Sequence, residues 1–200
     1  MRIILYGINY YPECIGVGKY TCEMAEWLVK KGHQVRVVTA HPYYPQWRVD
    51  PKHNAFAYQY EIRNKVEIFR CPLWVPKRLN GFKRLIHLCS FALSSLPAML
   101  KQMAWKPDVI IHIVPTLLCA VNAVFVARMI KSKVIVHMHD LEIDMAFGLH
   151  LLKNRWLKKM ALMLETCLLK NYDLLTTISK PMQAMISKKV NHQKKKRDHL

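Results

Sequence analysis

The stretch Arg2–Leu28, RIILYGINYYPECIGVGKYTCEMAEWL, decides the fold. It opens with an apolar run of strand length, Ile3–Tyr6. Two tyrosines, a proline and a carboxylate follow, then Gly16-Val17-Gly18. From Val17 the apolar residues Val17, Tyr20, Met24, Trp27 and Leu28 recur at spacings of three and four, one stripe of a helix. Gly32, after Lys30-Lys31, is a normal helix stop. A strand, a glycine turn and a helix in that order open a βαβ unit.

The rest of the chain repeats this alternation. Strand-like runs lie at Val35–Thr39, Val66–Phe69, Val109–Ile113, Val134–His137 and Leu174–Ile178. Helix-like stretches lie between and after them: Phe82–Met103, Thr116–Lys131, Leu151–Lys170 and Pro181–Lys189. The pattern predicts an α/β fold, a Rossmann-like doubly wound parallel sheet. Pro42–Arg63 is polar and aromatic with little periodicity and reads as a long, functional loop. The tail from Lys188, KKVNHQKKKRDHL, is basic and without apolar periodicity, which predicts disorder. The expected organisation is therefore a domain over 1–187 and a basic tail over 188–200.

Composition narrows the partners. Lys and Arg number 31 against 13 Asp and Glu, a net charge of +18, which favours phosphates, anionic lipid or nucleic acid. The six cysteines show no C-x-x-C spacing, so a reducing cytosol fits better than a disulfide framework or a zinc site. The start of the chain lacks the features of a signal peptide. Val109–Ile130 is long enough to span a bilayer. It also holds His112, Pro115, Asn122 and Arg128, and Pro115 divides it into a strand-length and a helix-length run. A buried strand followed by a core helix is the better reading.

Parallel sheets bind ligands at the carboxyl ends of their strands, where the loop after the first strand lies. Gly16 and Gly18 admit close backbone approach. A helix beginning near Val17 presents N–H groups and a positive dipole end, which suits a phosphate or diphosphate. A tight turn alone explains a bare Gly-x-Gly equally well. Lys19 faces either phosphate or solvent. A nicotinamide fingerprint would need glycines directly at the strand end and an acid after the second strand. Here the second strand ends Thr39-Ala40-His41. A P-loop would need Gly-Lys-Ser/Thr, and Gly18-Lys19-Tyr20 lacks the hydroxyl.

At these residues the chain resembles a known family. The stretch YYPECIGVGKYTCEMAEWLVKKGHQVRVVTAHPYYPQW is similar to the amino-terminal half of family-4 retaining glycosyltransferases, in the branch that builds colanic acid and other exopolysaccharides. VIVHMHDLEIDMAFGL and LETCLLKNYDLLTTISKPM extend the resemblance to roughly residues 1–190. Cys14 and Cys22 depart from the small residues expected at their positions. The resemblance implies a two-half GT-B architecture with the active site in the cleft between the halves. The donor-binding carboxy-terminal half is not in this sequence, and 190–200 reads as a truncated or disrupted end.

The resemblance also implies site residues and partners. Gly16, Val17, Gly18 and Lys19 would meet the diphosphate of a nucleotide-diphosphate sugar donor. His139 and Asp140, after the fifth strand-like run, would lie by the transferred sugar as the catalytic pair, and a polar group there can stabilise charge building at the anomeric carbon. His137 is expected to point away from them. Tyr43, Tyr44, Trp47, Glu142 and Asp144 would contact a lipid-linked saccharide acceptor, though loop packing and a solvated acid cluster explain them equally well. No cofactor and no metal are implied.

Lys77, Arg78, Lys83 and Arg84 are interleaved with Leu85, Ile86, Leu88, Phe91 and Leu93, and Lys158 and Lys159 extend the basic surface. Such a helix can lie on an anionic membrane surface. A core helix with a basic outer face is the alternative. The expected location is cytoplasmic, peripheral at the inner face of the cytoplasmic membrane, with no nucleic acid partner. The competing function is a non-catalytic basic α/β module that binds anionic membrane or nucleic acid.

Overall fold

The computed structural model describes residues 1–13, 15–78, 80–140 and 155–197. Seven strands form one sheet: β1 (Arg2–Tyr6), β2 (Gln34–Ala40), β3 (Gln59–Arg63), β4 (Val66–Cys71), β5 (Val109–Val114), β6 (Lys133–Met138) and β7 (Leu174–Thr177). The helices among the described residues are α1 (Gly16–Lys30), α2 (Gly81–Gln102), α3 (Ala120–Ile130), α4 (Arg155–Leu169) and α5 (Lys180–Arg197). The strand order is β3-β4-β2-β1-β5-β6-β7. Every neighbouring pair is parallel except β3–β4.

The central strands are buried on both faces, which is why they read as continuous apolar runs rather than alternating ones. Ile4 and Tyr6 face a large core with Val38, Phe91, Met99, Ile110 and Val136. Ile3 and Leu5 face a smaller one with Ala25, Leu28, Val35 and Val37. Two polar groups cross the larger core fully satisfied. The Tyr6 hydroxyl lies 2.6 Å from Ser95 Oγ and accepts from Asn122 Nδ2 at 3.0 Å. His112 Nε2–H donates to the Thr116 carbonyl at 3.1 Å, which leaves Nδ1 to accept from the Tyr172 hydroxyl at 2.5 Å. Burial pushes the His112 imidazole down to about 4, so it stays neutral in this network.

Four expectations need correction. Residues 59–63 are not loop: QYEIR is an antiparallel edge strand, paired register for register with β4 from Gln59↔Arg70 to Arg63↔Val66. Its polar-apolar alternation belongs to a strand whose faces are largely open.

The α1 stripe also differs. Tyr20 and Trp27 are exposed, and the buried face is Gly18, Thr21, Ala25 and Leu28. Small residues let the helix lie close to the sheet, so the aromatic side chains turn outward. His137 does not point away from His139, because residues two apart in an extended chain share a face; the two rings meet edge to face at 4.7 Å. Finally, α5 carries on through Arg197, past the 187/188 boundary where the sequence reading ends the domain.

Val109–Ile130 resolves into β5, a 3-10 turn at Leu117–Cys119 and α3. No helix among the described residues is long and apolar enough to cross a membrane.

Candidate functional site

The sheet reverses its winding between β1 and β5, the place where open α/β sheets bind ligands at their strand tips. The loop from β1 lies there. Gly16 has φ +57 and nothing within 4 Å of where a Cβ would stand. It turns the chain into α1 and leaves the backbone bare. Ile15 caps α1 without a side-chain hydrogen bond, and no acid sits in the first turn. No acid of the helix itself offsets the positive end of this 15-residue helix, although the buried Glu13 carboxylate packs against its first turn at Gly18. Gly18 differs from the expectation: it is buried, and a Cβ would lie 2.9 Å from both Glu13 Cβ and the Glu13 carbonyl oxygen. Its missing side chain serves Glu13 rather than leaving open space. Lys19 is exposed and lies 3.9 Å from Glu23 one turn on.

Glu13 is the residue that sequence reasoning undervalued. It is 4 % exposed. One carboxylate oxygen accepts from the backbone amides of Tyr43 and Tyr44 at 3.0 and 2.9 Å, and the other accepts from Asn9 Nδ2 at 2.8 Å. Burial raises its pKa, and those three donors oppose the rise. Arg70 was missed outright. Only 2 % exposed, it donates to the carbonyls of Tyr11 and Ala40 and to Glu61 Oε1. Arg63 from β3 stands 3.5 Å over the Tyr11 ring. A buried arginine amid apolar strand residues reads as surface charge in sequence, and only the pairing with β3 shows its role.

Glu13 lines a cavity of about 500 Å³ between the first and second loops. Its walls include Pro12, Glu13 and Ile15 from the first loop and Tyr44, Arg48 and Asp50 from the second. The Tyr11–Pro12 and Tyr44–Pro45 bonds on its two sides are both cis. The second loop is strapped at its far end, where His41 Nε2–H donates to the Ala57 carbonyl at 2.7 Å. Of the predicted acceptor aromatics, Tyr44 is 39 % exposed at the rim. Tyr43 also lines the cavity, with its ring largely buried against His87 at 4.7 Å and Trp47 at 5.6 Å. Trp47 is partly buried in the same cluster with φ 51.

His139 and Asp140 do not line that cavity. They follow β6, on the other side of β1 in the sheet order. His139 contacts α1 instead: its ring stacks with Tyr20 at 6.1 Å and an interplanar angle of 20°. It is 7 % exposed, and its Nε2 has no hydrogen-bond partner among the described residues. Burial first, then the neighbouring His137, lower its pKa to about 4, against the opposing pull of Asp140. At neutral pH it is an uncharged imidazole with one spare nitrogen. Glu142 and Asp144 lie outside the described residues.

The expected membrane residues share one end of α2. Lys77 and Arg78 are exposed, Lys83 and Arg84 half-buried, and Asn80 caps the helix by accepting from the Lys83 amide at 2.8 Å. Phe82, Leu85, Ile86 and Leu93 are exposed along it. Its neighbour α3 exposes Val121, Phe125 and Met129, a stripe the sequence reading had assigned to the core. Neither helix contains a single Asp or Glu.

Comparison with known proteins bears on this arrangement. Residues 16–193 match the family described as glycosyl transferase 4-like domain. The chain is 45 % identical over 185 residues to WcaI of Escherichia coli K12, whose name assigns it to colanic acid biosynthesis as a glycosyl transferase. That match covers 91 % of this chain and 45 % of WcaI, so the chain spans about half the length of the curated relative it matches. Sucrose-phosphate synthase of Thermosynechococcus elongatus superposes with a TM-score of 0.64 at 15 % identity, covering 94 % of this chain and 44 % of that one. The catalytic domain of starch synthase IV from Arabidopsis thaliana, solved with ADP and acarbose, gives 0.50 at 12 % identity over 70 % of this chain and 34 % of that one. These likenesses establish a shared GT-B half fold. The chain belongs to the glycosyl transferase 4-like family.

Proposed function

We propose that this chain is the acceptor-side half of a retaining glycosyltransferase that moves a sugar from a nucleotide-diphosphate donor to a lipid-linked saccharide in exopolysaccharide biosynthesis. The donor-gripping half of that architecture is outside these 200 residues. The amino terminus of α1, bare at Gly16, meets the donor diphosphate through its amides and dipole end. The 500 Å³ cavity, with Tyr44 at its rim, takes the acceptor saccharide.

The observation that carries this reading is His139 Nε2, without a hydrogen-bond partner among the described residues and buried at a strand tip within ring contact of α1. A buried polar atom without a partner is costly, on the order of 1–3 kcal/mol, and such atoms are held where function uses them. Kept neutral by its surroundings, the imidazole can face a sugar whose anomeric carbon is gaining positive charge without adding a like charge beside it. Its spare nitrogen can hydrogen-bond a sugar hydroxyl, while Asp140 adds a carboxylate next in the chain.

The acid-free face of α2 and α3 supports a peripheral seat on anionic lipid, where apolar side chains enter the interface and Lys77, Arg78, Lys83 and Arg84 meet headgroups. A lipid-linked acceptor would be presented at such a surface.

Calorimetric titration with nucleotide-diphosphate sugars tests the donor reading. Saturable binding that disappears in Gly16→Trp supports it. No saturable binding, with tight and steeply salt-dependent uptake of nucleic acid instead, would replace it with the non-catalytic basic module.

A further inference from the structure

We infer that Glu13 is a positioning residue that couples the amino terminus of α1 to the second loop, so that a ligand seated at one is felt at the other. The inference rests on the reading above for what binds at each end, but the coupling itself is read from contacts.

Three elements converge on this one side chain. Asn9, from the segment directly after β1, donates to one carboxylate oxygen, and the Tyr43 and Tyr44 amides at the head of the second loop donate to the other. Gly18, in the first turn of α1, packs on its Cβ, on its carbonyl and on the Oε2 that Asn9 binds, with 2.9, 2.9 and 3.2 Å to a hypothetical Cβ. Glu13 also lines the cavity.

A shift of α1's first turn therefore has no slack in which to dissipate. It displaces Glu13, and Glu13 carries two consecutive backbone amides of the opposite wall with it. The second loop is tied in turn by Arg48 N–H to the Tyr43 carbonyl and Asp50 N–H to the Pro42 carbonyl, so movement of Tyr43 and Tyr44 re-aims Arg48 and Asp50 in the cavity. In a transferase this would make a seated donor adjust the acceptor wall.

Backbone amide NMR on the full chain tests this in two arms. The first needs no ligand. Gly18→Ala forces a methyl onto Glu13, and it is expected to move the Tyr43 and Tyr44 amide signals in the wild-type background and to leave them in place in Glu13→Ala. Glu13→Gln, which keeps an oxygen for the two amides, is expected to restore the movement. Unmoved signals in Gly18→Ala, or equal movement in the wild-type and Glu13→Ala backgrounds, overturn the coupling.

The second arm titrates UDP. Its binding is expected to move Gly18 and Lys19 together with Tyr43 and Tyr44, and in Glu13→Ala only the first pair. If Tyr43 and Tyr44 still respond in Glu13→Ala, the inference fails. If UDP does not bind at all, the donor reading fails while the first arm still decides the coupling. Should Glu13→Ala not fold, the cycle is run with Glu13→Gln and Glu13→Asp, and failure of Asp, with its shorter reach, to transmit the Gly18→Ala movement is the supporting outcome.

Discussion

At the tips of β1 and β2, Glu13 takes three hydrogen bonds and Arg70 gives three, whereas at the tip of β6 the comparably buried His139 keeps a nitrogen with no described partner. Both regions pay the desolvation of polar groups. One recovers it in shape: two loops are held apart at a cavity's width. The other leaves it unrecovered among the described residues, as Arg36 Nε, His87 Nε2 and Thr116 Oγ1 also do. The contrast separates residues that hold the two loops from the residue to which the proposed function assigns chemistry, and it makes each separately breakable.

Arg70→Ala should do the most damage. It takes the donor from the Tyr11 and Ala40 carbonyls and the ion partner from the half-exposed Glu61, and each buried polar group left unpaired costs about 1–3 kcal/mol. A thermal melt should show it. A nearly unchanged melting temperature would mean that the β1/β2 tips are not held by this residue.

The next largest effect is that of pH. Burial lowers His112 and His139 to about 4, and His41, His87 and His137 also shift down. Between about pH 4 and the ordinary value near 6.5, the unfolded chain binds more protons than the folded one, so stability rises with pH across that window. His112 alone contributes on the order of 3 kcal/mol there. Glu13, whose pKa is raised, works in the opposite direction above 4.5. Denaturant melts from pH 4 to 7 should show the net rise, and His112→Phe should flatten it.

Gly18→Ala should cost about 1–3 kcal/mol, because the neighbours its methyl meets are the backbone and Cβ of Glu13 rather than a flexible tip. Chemical denaturation reads this directly. His139→Gln is expected to change stability least, within about 0.5 kcal/mol, since no described hydrogen bond of Nε2 is lost. Yet in an enzyme carrying both halves it should lower transfer by about 10²-fold or more. A large stability loss without a rate effect would erase the distinction between the two regions.

Much of the frame was legible. Six strand-like runs became β1, β2, β4, β5, β6 and β7 because buried parallel strands are apolar on both faces. β3 was hidden because Gln59, Glu61 and Arg63 alternate with exposed Tyr60 and Ile62, so no buried face marked it. In α1, hydropathy favoured Tyr20 and Trp27, but contact with the sheet selects Gly18, Thr21 and Ala25 for their small size. Of the proposed site, Gly16 was readable as the glycine that turns the chain into α1 with a positive φ, and His139 as a residue following a strand. Glu13 and Arg70 did not stand out, since a carboxylate or guanidinium gains its role from backbone groups thirty to sixty residues away, which no local pattern records.

The anchoring of Tyr43 and Tyr44 also bears on redesign. Under the proposed function, residues 42–51 would be the segment to exchange for that of a related chain in order to alter saccharide preference. Because the head of that segment hangs from Glu13, which itself is fitted to Asn9 and Gly18, a graft confined to the segment would arrive without its mounting. Asn9, Glu13 and Gly18 form the cassette that has to travel with it.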